Sequence, residues 1–370
     1  MNIAFAKPSF SPASRQRILS AVDEILSSGK LMMGDWNQRF ETAFGDLTEC
    51  EFALSTNTCT TALQICLSHF DVRGYEVLVP AAAFVTDVSV VRWCGGVPIL
   101  VDIDPETLAF DLEDLRRKLT PRTKGIIWVH LIGFISPAWR EIVAFAKENN
   151  LFLIEDCAHA HGASVDGKPA GSIGDAGCFS FYPTKVLTCG TGGMLVTNDA
   201  ALARSARELR MYGRDNGSGS VVREGNDWFL DEIRACLGYE QVCELPEFLK
   251  RRRDIASRYG DALSASPLLR QLSVPDGNLP AWYHFTVFVD DGDDLANLMG
   301  NLQQKHGNPA RSIYPPIHEE AIFRDLDDGS LVNATQMLHR SLCLPMHTAL
   351  SDADVDTVAS AVIQELRDVK

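Results

Sequence analysis

The sequence predicts an α/β fold: a large domain with a mostly parallel sheet covered by helices, followed by a smaller C-terminal α+β domain. Two observations carry this. Between Thr61 and Asp156, short apolar runs alternate with segments of helical periodicity, and strands that read as unbroken apolar runs between helices belong to parallel sheets buried on both faces. After about Leu237 that alternation stops. A chain of 370 residues is long enough for about two domains. The change of character therefore places the large domain at 1–240 and the small one at 241–370, with the N-terminal segment either in the former or packed with the latter.

In chain order, TALQICLSHF (Thr61 to Phe70) has helical spacing, and EVLVP (Glu76 to Pro80) is a short buried strand. VTDVSVVRWCG (Val85 to Gly95) is again helical and VPILVDI (Val97 to Ile103) is a strand. The series continues with LEDLRRKL as helix, GIIWVH as strand, WREIVAFAKENN as helix and LFLIED as strand. Past the boundary, EFLKRRRDIASRYGDAL (Glu247 to Leu263) reads as one long amphipathic helix. HFTVFVD (His284 to Asp290) is strand-like, LANLMGNLQQKH is helical, and a closing helix lies near DADVDTVASAVIQELRDVK. In parallel sheets ligands bind beyond the carboxyl ends of the strands. His130, Asp156 and His159 fall there.

The chemistry concentrates in two stretches. In GCFSFYPTKVLTCGTGGMLVTND (Gly177 to Asp199), Lys185 sits in a polar, glycine-rich turn between two apolar runs, and in LFLIEDCAHAHGA (Leu151 to Ala163) Asp156 closes another. A lysine and an aspartate so placed suit a pyridoxal 5′-phosphate (PLP) enzyme, which needs an amine for Schiff-base attachment and a carboxylate to keep the pyridine nitrogen protonated. A single loop lysine is ordinarily just solvated; the surrounding pattern is what distinguishes this one.

EDCAHA (Glu155 to Ala160), FSFYPTK (Phe179 to Lys185) and GTGG (Gly190 to Gly193) stand in the order and spacing of the DegT/DnrJ/EryC1/StrS family. The chain resembles these PLP-dependent sugar aminotransferases from SGKLMMG near Ser27 to the tail SLCLPMHTALSDADVDTV. The resemblance implies aspartate aminotransferase fold type I, with a seven-stranded sheet in the large domain. It implies PLP as cofactor, L-glutamate or L-glutamine as donor, and a keto sugar, often nucleotide-linked, as acceptor. A homodimer with shared active sites is implied as well.

Carried over residue by residue, Lys185 is the attachment lysine and Asp156 the partner of the pyridine nitrogen. His159 would approach the cofactor's phenolic oxygen, and Phe84 would stack on its ring. The phosphate falls to the hydroxyl-rich turn STNTCTTAL, with Cys59 where the family has glycine and Thr60 where it has threonine, and to Ser180. Without the resemblance, that turn is an ordinary Ser/Thr helix cap, Phe84 is core and His159 is structural. His161 is read as structural in either case.

Departures from the family bear on the pocket. GNDWFLDE (Gly225 to Glu232) replaces a segment whose asparagine reaches the partner subunit's phosphate; aligned without gaps it puts Asp227 at that position and Phe229 at an arginine position. An aspartate repels a phosphate dianion, so either Asn226 takes over after a one-residue shift or the contact is absent; Asn226 is the favoured reading. In HLIGF, Ile132 and Phe134 stand where tyrosine and glutamine are common, which predicts a more apolar pocket. Two alternatives stay open: a keto-cyclitol or other non-nucleotide ketone as acceptor, and a PLP-binding sensor without turnover. The family's dehydratase branch replaces the lysine by histidine, so Lys185 argues against it. A nicotinamide site fails because Leu195 stands where the third glycine of G-x-G-x-x-G belongs.

Composition excludes other classes. A net charge of −15 opposes a nucleic-acid partner, and no run of about 18 apolar residues appears for a membrane span. The ten cysteines include no C-x-x-C pair, which fits reduced thiols and no metal site. The N-terminus has no signal-peptide pattern. The expectation is a soluble, cytoplasmic protein.

Overall fold

The computed structural model describes residues 3–215, 217–289 and 295–368. Of the segments expected above, Asp290, Val369 and Lys370 lie outside these. Two helices open the described chain, α1 (Pro12–Ser28) and α2 (Asp35–Thr48), followed by β1 (Phe52–Thr56). The alternating region then runs α3 (Cys59–His69), β2 (Glu76–Pro80), α4 (Val85–Trp93), β3 (Val97–Val101), α5 (Leu112–Arg117), β4 (Thr123–Val129), α6 (Trp139–Glu148) and β5 (Phe152–Asp156). A small hairpin, β6 (Ser164–Val165) and β7 (Lys168–Pro169), precedes β8 (Ala176–Ser180), β9 (Gly193–Thr197) and α7 (Ala200–Leu209).

The sheet has seven strands in the order β1-β9-β8-β5-β4-β2-β3. Only β9 runs against the rest, antiparallel to both β1 and β8. The apolar strands face two cores by alternation. Val77, Val79, Ile127, Val129 and Ile154 point into the core under α3 and α4; Leu78, Ile126, Trp128 and Leu153 point into the one containing Phe40, Phe44 and Phe145. Burial on both faces is why these strands read as unbroken apolar runs. The sequence reading had no strand at β1, whose FALST is too polar for that pattern. Its Ser55 is instead bonded by Asn37 and Glu41, with Arg210 donating to the Ser55 carbonyl at 2.7 Å.

The second half of the chain is built on α8 (Glu232–Leu263). It starts fifteen residues before the expected Glu247, because Pro246 lies within the helix rather than opening it. A proline removes one backbone donor, yet the preceding turns are held by packing: Gly238 lies against the Phe40 ring so closely that a Cβ would come within 2.6 Å of it. Beyond α8 come β10 (Leu269–Gln271), β11 (Asn278–Leu279), β12 (Phe285–Val289), α9 (Leu295–His306), α10 (Val332–Arg340), β13 (Ser341–Leu344) and α11 (Asp352–Asp368). β10, β12 and β13 form an antiparallel sheet, and its core takes in Ile255, Tyr259 and Leu263 of α8 together with Ile3. Residue 240 thus falls inside a continuous helix. We propose that α8 serves both units, Ala235 to Leu249 packing with the large sheet and Ile255 to Leu263 with the small one.

Glu155 fixes the end of β5. It is fully buried and accepts the N–H groups of Gly171, Ile173 and Gly174 at 2.7–2.9 Å, while His130 Nε2 lies 2.8 Å away. Its nearness to His130 and Cys157 gives a set of possible metal ligands, but its oxygens are already committed to these donors. Glu155→Ala leaves its four partners, of which the Gly171 N–H and His130 are buried, without an acceptor and is expected to destabilise the fold by about 3–5 kcal/mol. Urea denaturation with tryptophan fluorescence checks this; a change below about 1 kcal/mol would contradict it.

Candidate functional site

A cavity of about 560 Å³ opens at the carboxyl ends of β4, β5 and β8, the edge where a parallel sheet presents loops and helix N-termini. Cys59, Thr60, Phe84, Asp156, His159, Ser180 and Lys185 all line it. Of the residues expected to hold the cofactor, Asn226 alone does not line it. It lies in an exposed segment, where its Oδ1 accepts the N–H of Asp227 at 2.9 Å.

Lys185 follows β8 in a tight turn, its N–H bonded to the Tyr182 carbonyl at 3.0 Å. Its Nζ stands 4.7 Å from the centre of the Tyr283 ring, and no ion pair holds it among the described residues. Burial lowers its pKa to about 8, against the opposing pull of Asp156. An amine so poised is nucleophilic near neutral pH, where an exposed lysine is not. Asp156 ends β5 with Oδ1 accepting the Ala158 N–H at 2.8 Å. Burial raises its pKa; the Ala158 N–H and Lys185 act against the rise.

At the other end, Thr58 caps α3, its Oγ1 accepting the Thr61 N–H at 3.1 Å. The amides of Cys59 and Thr60, the first two of the helix, have no intrahelical acceptor, and the helix dipole favours an anion in front of them. Cys59 stands at a glycine position of the family pattern, but it is not among the residues with positive φ. No glycine is needed there. Gly193 opposite shows how close the backbones come: a Cβ on it would lie 2.3–2.5 Å from Thr58 and Cys59 main-chain atoms.

His159 is buried, with Nδ1 accepting the Ile132 N–H at 3.2 Å. Burial keeps the ring neutral, so the proton sits on Nε2, which faces the Tyr314 hydroxyl at 3.0 Å. The ring stacks on Tyr283 with centroids 4.1 Å apart. Phe84, 46% exposed, presents its ring to the cavity beside Tyr314. His161 is packed between Phe179 and Phe181, away from the cavity wall.

Sequence reading missed Tyr283, His284, Arg311 and Tyr314, which line the same cavity from the second half of the chain. Only folding brings them there, and no local pattern marked them. It also missed Asp87 on α4. The acid three residues after the residue preceding the helix is a capping pattern, and that was the signal available.

An unpaired amine, a buried carboxylate and free helix-start amides with Ser180 nearby match what PLP requires of a protein: attachment, a partner for the pyridine nitrogen, and an anion site. The comparisons agree. The sequence profile of the DegT/DnrJ/EryC1/StrS aminotransferase family matches residues 12–363. The chain is 33% identical over 359 residues to dTDP-4-dehydro-2,3,6-trideoxy-D-glucose 4-aminotransferase of Saccharopolyspora spinosa, covering 92% of each chain. It is 33% identical over 370 residues to GDP-perosamine synthase of Caulobacter vibrioides, covering 98% of each. The solved structure of the aminotransferase TlmJ from Streptoalloteichus hindustanus superposes with a TM-score of 0.93 at 32% identity, over 100% of both chains. The chain therefore belongs to the DegT/DnrJ/EryC1/StrS aminotransferase family and is a PLP-dependent aminotransferase.

Proposed function

We propose that this aminotransferase moves the amino group of L-glutamate or L-glutamine to a keto sugar carried on a nucleotide. The observation that carries the reading is the poised Lys185 amine facing buried Asp156, in a chain one-third identical, over nearly its whole length, to two enzymes named for nucleotide-linked sugars. Those names favour a nucleotide-linked acceptor over a cyclitol, and an intact lysine–aspartate pair favours turnover over a sensor.

PLP, when bound, supplies the aldehyde that takes up the amino group and a ring that accepts an electron pair. Lys185 Nζ would attach it and, once released, would serve as the base and acid that takes the proton from the nitrogen-bearing carbon of the bound donor and returns one to the acceptor's carbon in the second half-reaction. Asp156 holds the positive charge at the pyridine nitrogen. The Cys59 and Thr60 amides and the Ser180 hydroxyl would bind the phosphate, His159 would serve the phenolic oxygen, and Phe84 would cover the ring. The test is to load the protein with PLP, add glutamate, and then offer a panel of nucleotide-linked keto sugars and keto-cyclitols. The PLP absorbance should return with a nucleotide-linked sugar. Return with cyclitols alone would reject this acceptor class.

The active site is shared in a homodimer on this reading. Asn226 is exposed and outside its own chain's cavity, where it is free to meet the phosphate bound by a second copy. Asn226→Ala is then expected to weaken PLP affinity by roughly tenfold, the scale of one hydrogen bond to a charged group. Asp227→Asn is expected to be neutral or to improve affinity, because it removes a negative charge near a dianion. Fluorescence titration of cofactor-free variants with PLP measures both. The reverse ranking would assign the contact to Asp227.

A further inference from the structure

Asp87, in the first turn of α4, is fully buried. Its Oδ2 accepts the Phe84 N–H at 3.2 Å, and its Oδ1 has no donor among the described residues. Its carboxyl group neighbours that of Asp156, close enough that each bears on the other's protonation. Ionised carboxylates have only acceptors, so two so close away from water hold together only by sharing a proton.

Which of the two carries that proton is decided by the neighbours. Asp156 already accepts the Ala158 N–H at 2.8 Å, has the Cys59 thiol 3.8 Å away, and is drawn toward the charged form by Lys185. Asp87 has a single amide. The groups facing it are Asp156 from β5, Lys185 from the turn after β8, Cys59 from α3 and Tyr314 from the second half of the chain. Burial and Asp156 push the Asp87 pKa far up, and the helix start and Lys185 do not reverse this.

We propose that Asp87 is a positioning residue that carries the shared proton and donates it as a hydrogen bond to the Asp156 carboxylate. Resting on the PLP reading, this fixes what the pair presents to the cofactor. One negative charge, not two, meets one pyridinium, and the donated bond makes Asp156 a weaker base. The proton between Asp156 and the ring nitrogen is thereby kept on nitrogen. The otherwise orphaned Oδ1 becomes a donor with a partner.

The test has an arm that needs no cofactor. Carbon-13 NMR of aspartate-labelled, PLP-free protein at neutral pH should show a protonated carboxyl resonance that disappears in Asp87→Asn; an ionised Asp87 in the parent protein would overturn the proposal even if PLP never bound. In the loaded protein, nitrogen-15 NMR of labelled PLP reads the ring nitrogen. Asp87→Asn keeps a neutral donor and should retain the protonated shift and the parent's affinity. Asp87→Ala removes the donor; the shift should move toward the unprotonated value and affinity should fall roughly tenfold. An unchanged ring-nitrogen shift in Asp87→Ala would reduce Asp87 to a helix cap. Should Asp87→Ala not fold, the Asn variant still decides: a ring-nitrogen shift displaced from the parent's would overturn the proposal.

Discussion

Lys185→Ala is expected to retain the fold and lose transamination by roughly ten-thousandfold or more, the upper range of what a positioned acid–base group contributes. The loss has two parts, since the same amine attaches the cofactor and moves the proton. Exogenous methylamine should restore a little of the second and none of the first. The pH dependence follows from the amine's burial. With its pKa lowered to about 8, Lys185 is increasingly neutral as pH rises through 8, so reconstitution of the cofactor-free protein with PLP should accelerate across that pH and level off above it. A rate that still climbed toward the ordinary lysine pKa would mean that the attacking amine is exposed and is not Lys185. Full activity in Lys185→Ala would remove the mechanism altogether.

Asp156→Asn is the second large effect. The amide can still occupy the end of β5 and accept the Ala158 N–H, so PLP should stay bound. It cannot balance a positive charge at the pyridine nitrogen, and the half-reaction with glutamate should slow by roughly a thousandfold, comparable to removing a preorganised electrostatic stabiliser. Stopped-flow absorbance of that half-reaction is the measurement. An unchanged rate would make Asp156 purely structural. Glu155, its neighbour in the strand, should behave oppositely: its oxygens are occupied by loop amides and His130, so its loss acts on stability first.

Much of this was legible in the sequence for a physical reason. Strands such as Glu76–Pro80 and Phe152–Asp156 bury both faces, and that requirement writes itself as an unbroken apolar run. The lysine turn and the helix-start hydroxyls lie in short local segments, which keep their chemistry within a few residues. What escaped notice depends on contacts distant in sequence. β1 is polar because Glu41 and Arg210 satisfy it. α8 continues through Pro246 because its first half is clamped against Phe40, a residue far earlier in the chain. Tyr314 reaches His159 across 155 positions, and no periodicity within either segment encodes that meeting. Asp87 was not singled out in the sequence; its cap bond to the Phe84 N–H is local, but its neighbour Asp156 is visible only once the sheet has formed.

Borohydride reduction of the wild-type protein loaded with PLP, followed by peptide mapping, tests the central claim most directly. The account predicts a single phosphopyridoxyl label on the peptide containing Lys185. A label on any other lysine, or none, would contradict it.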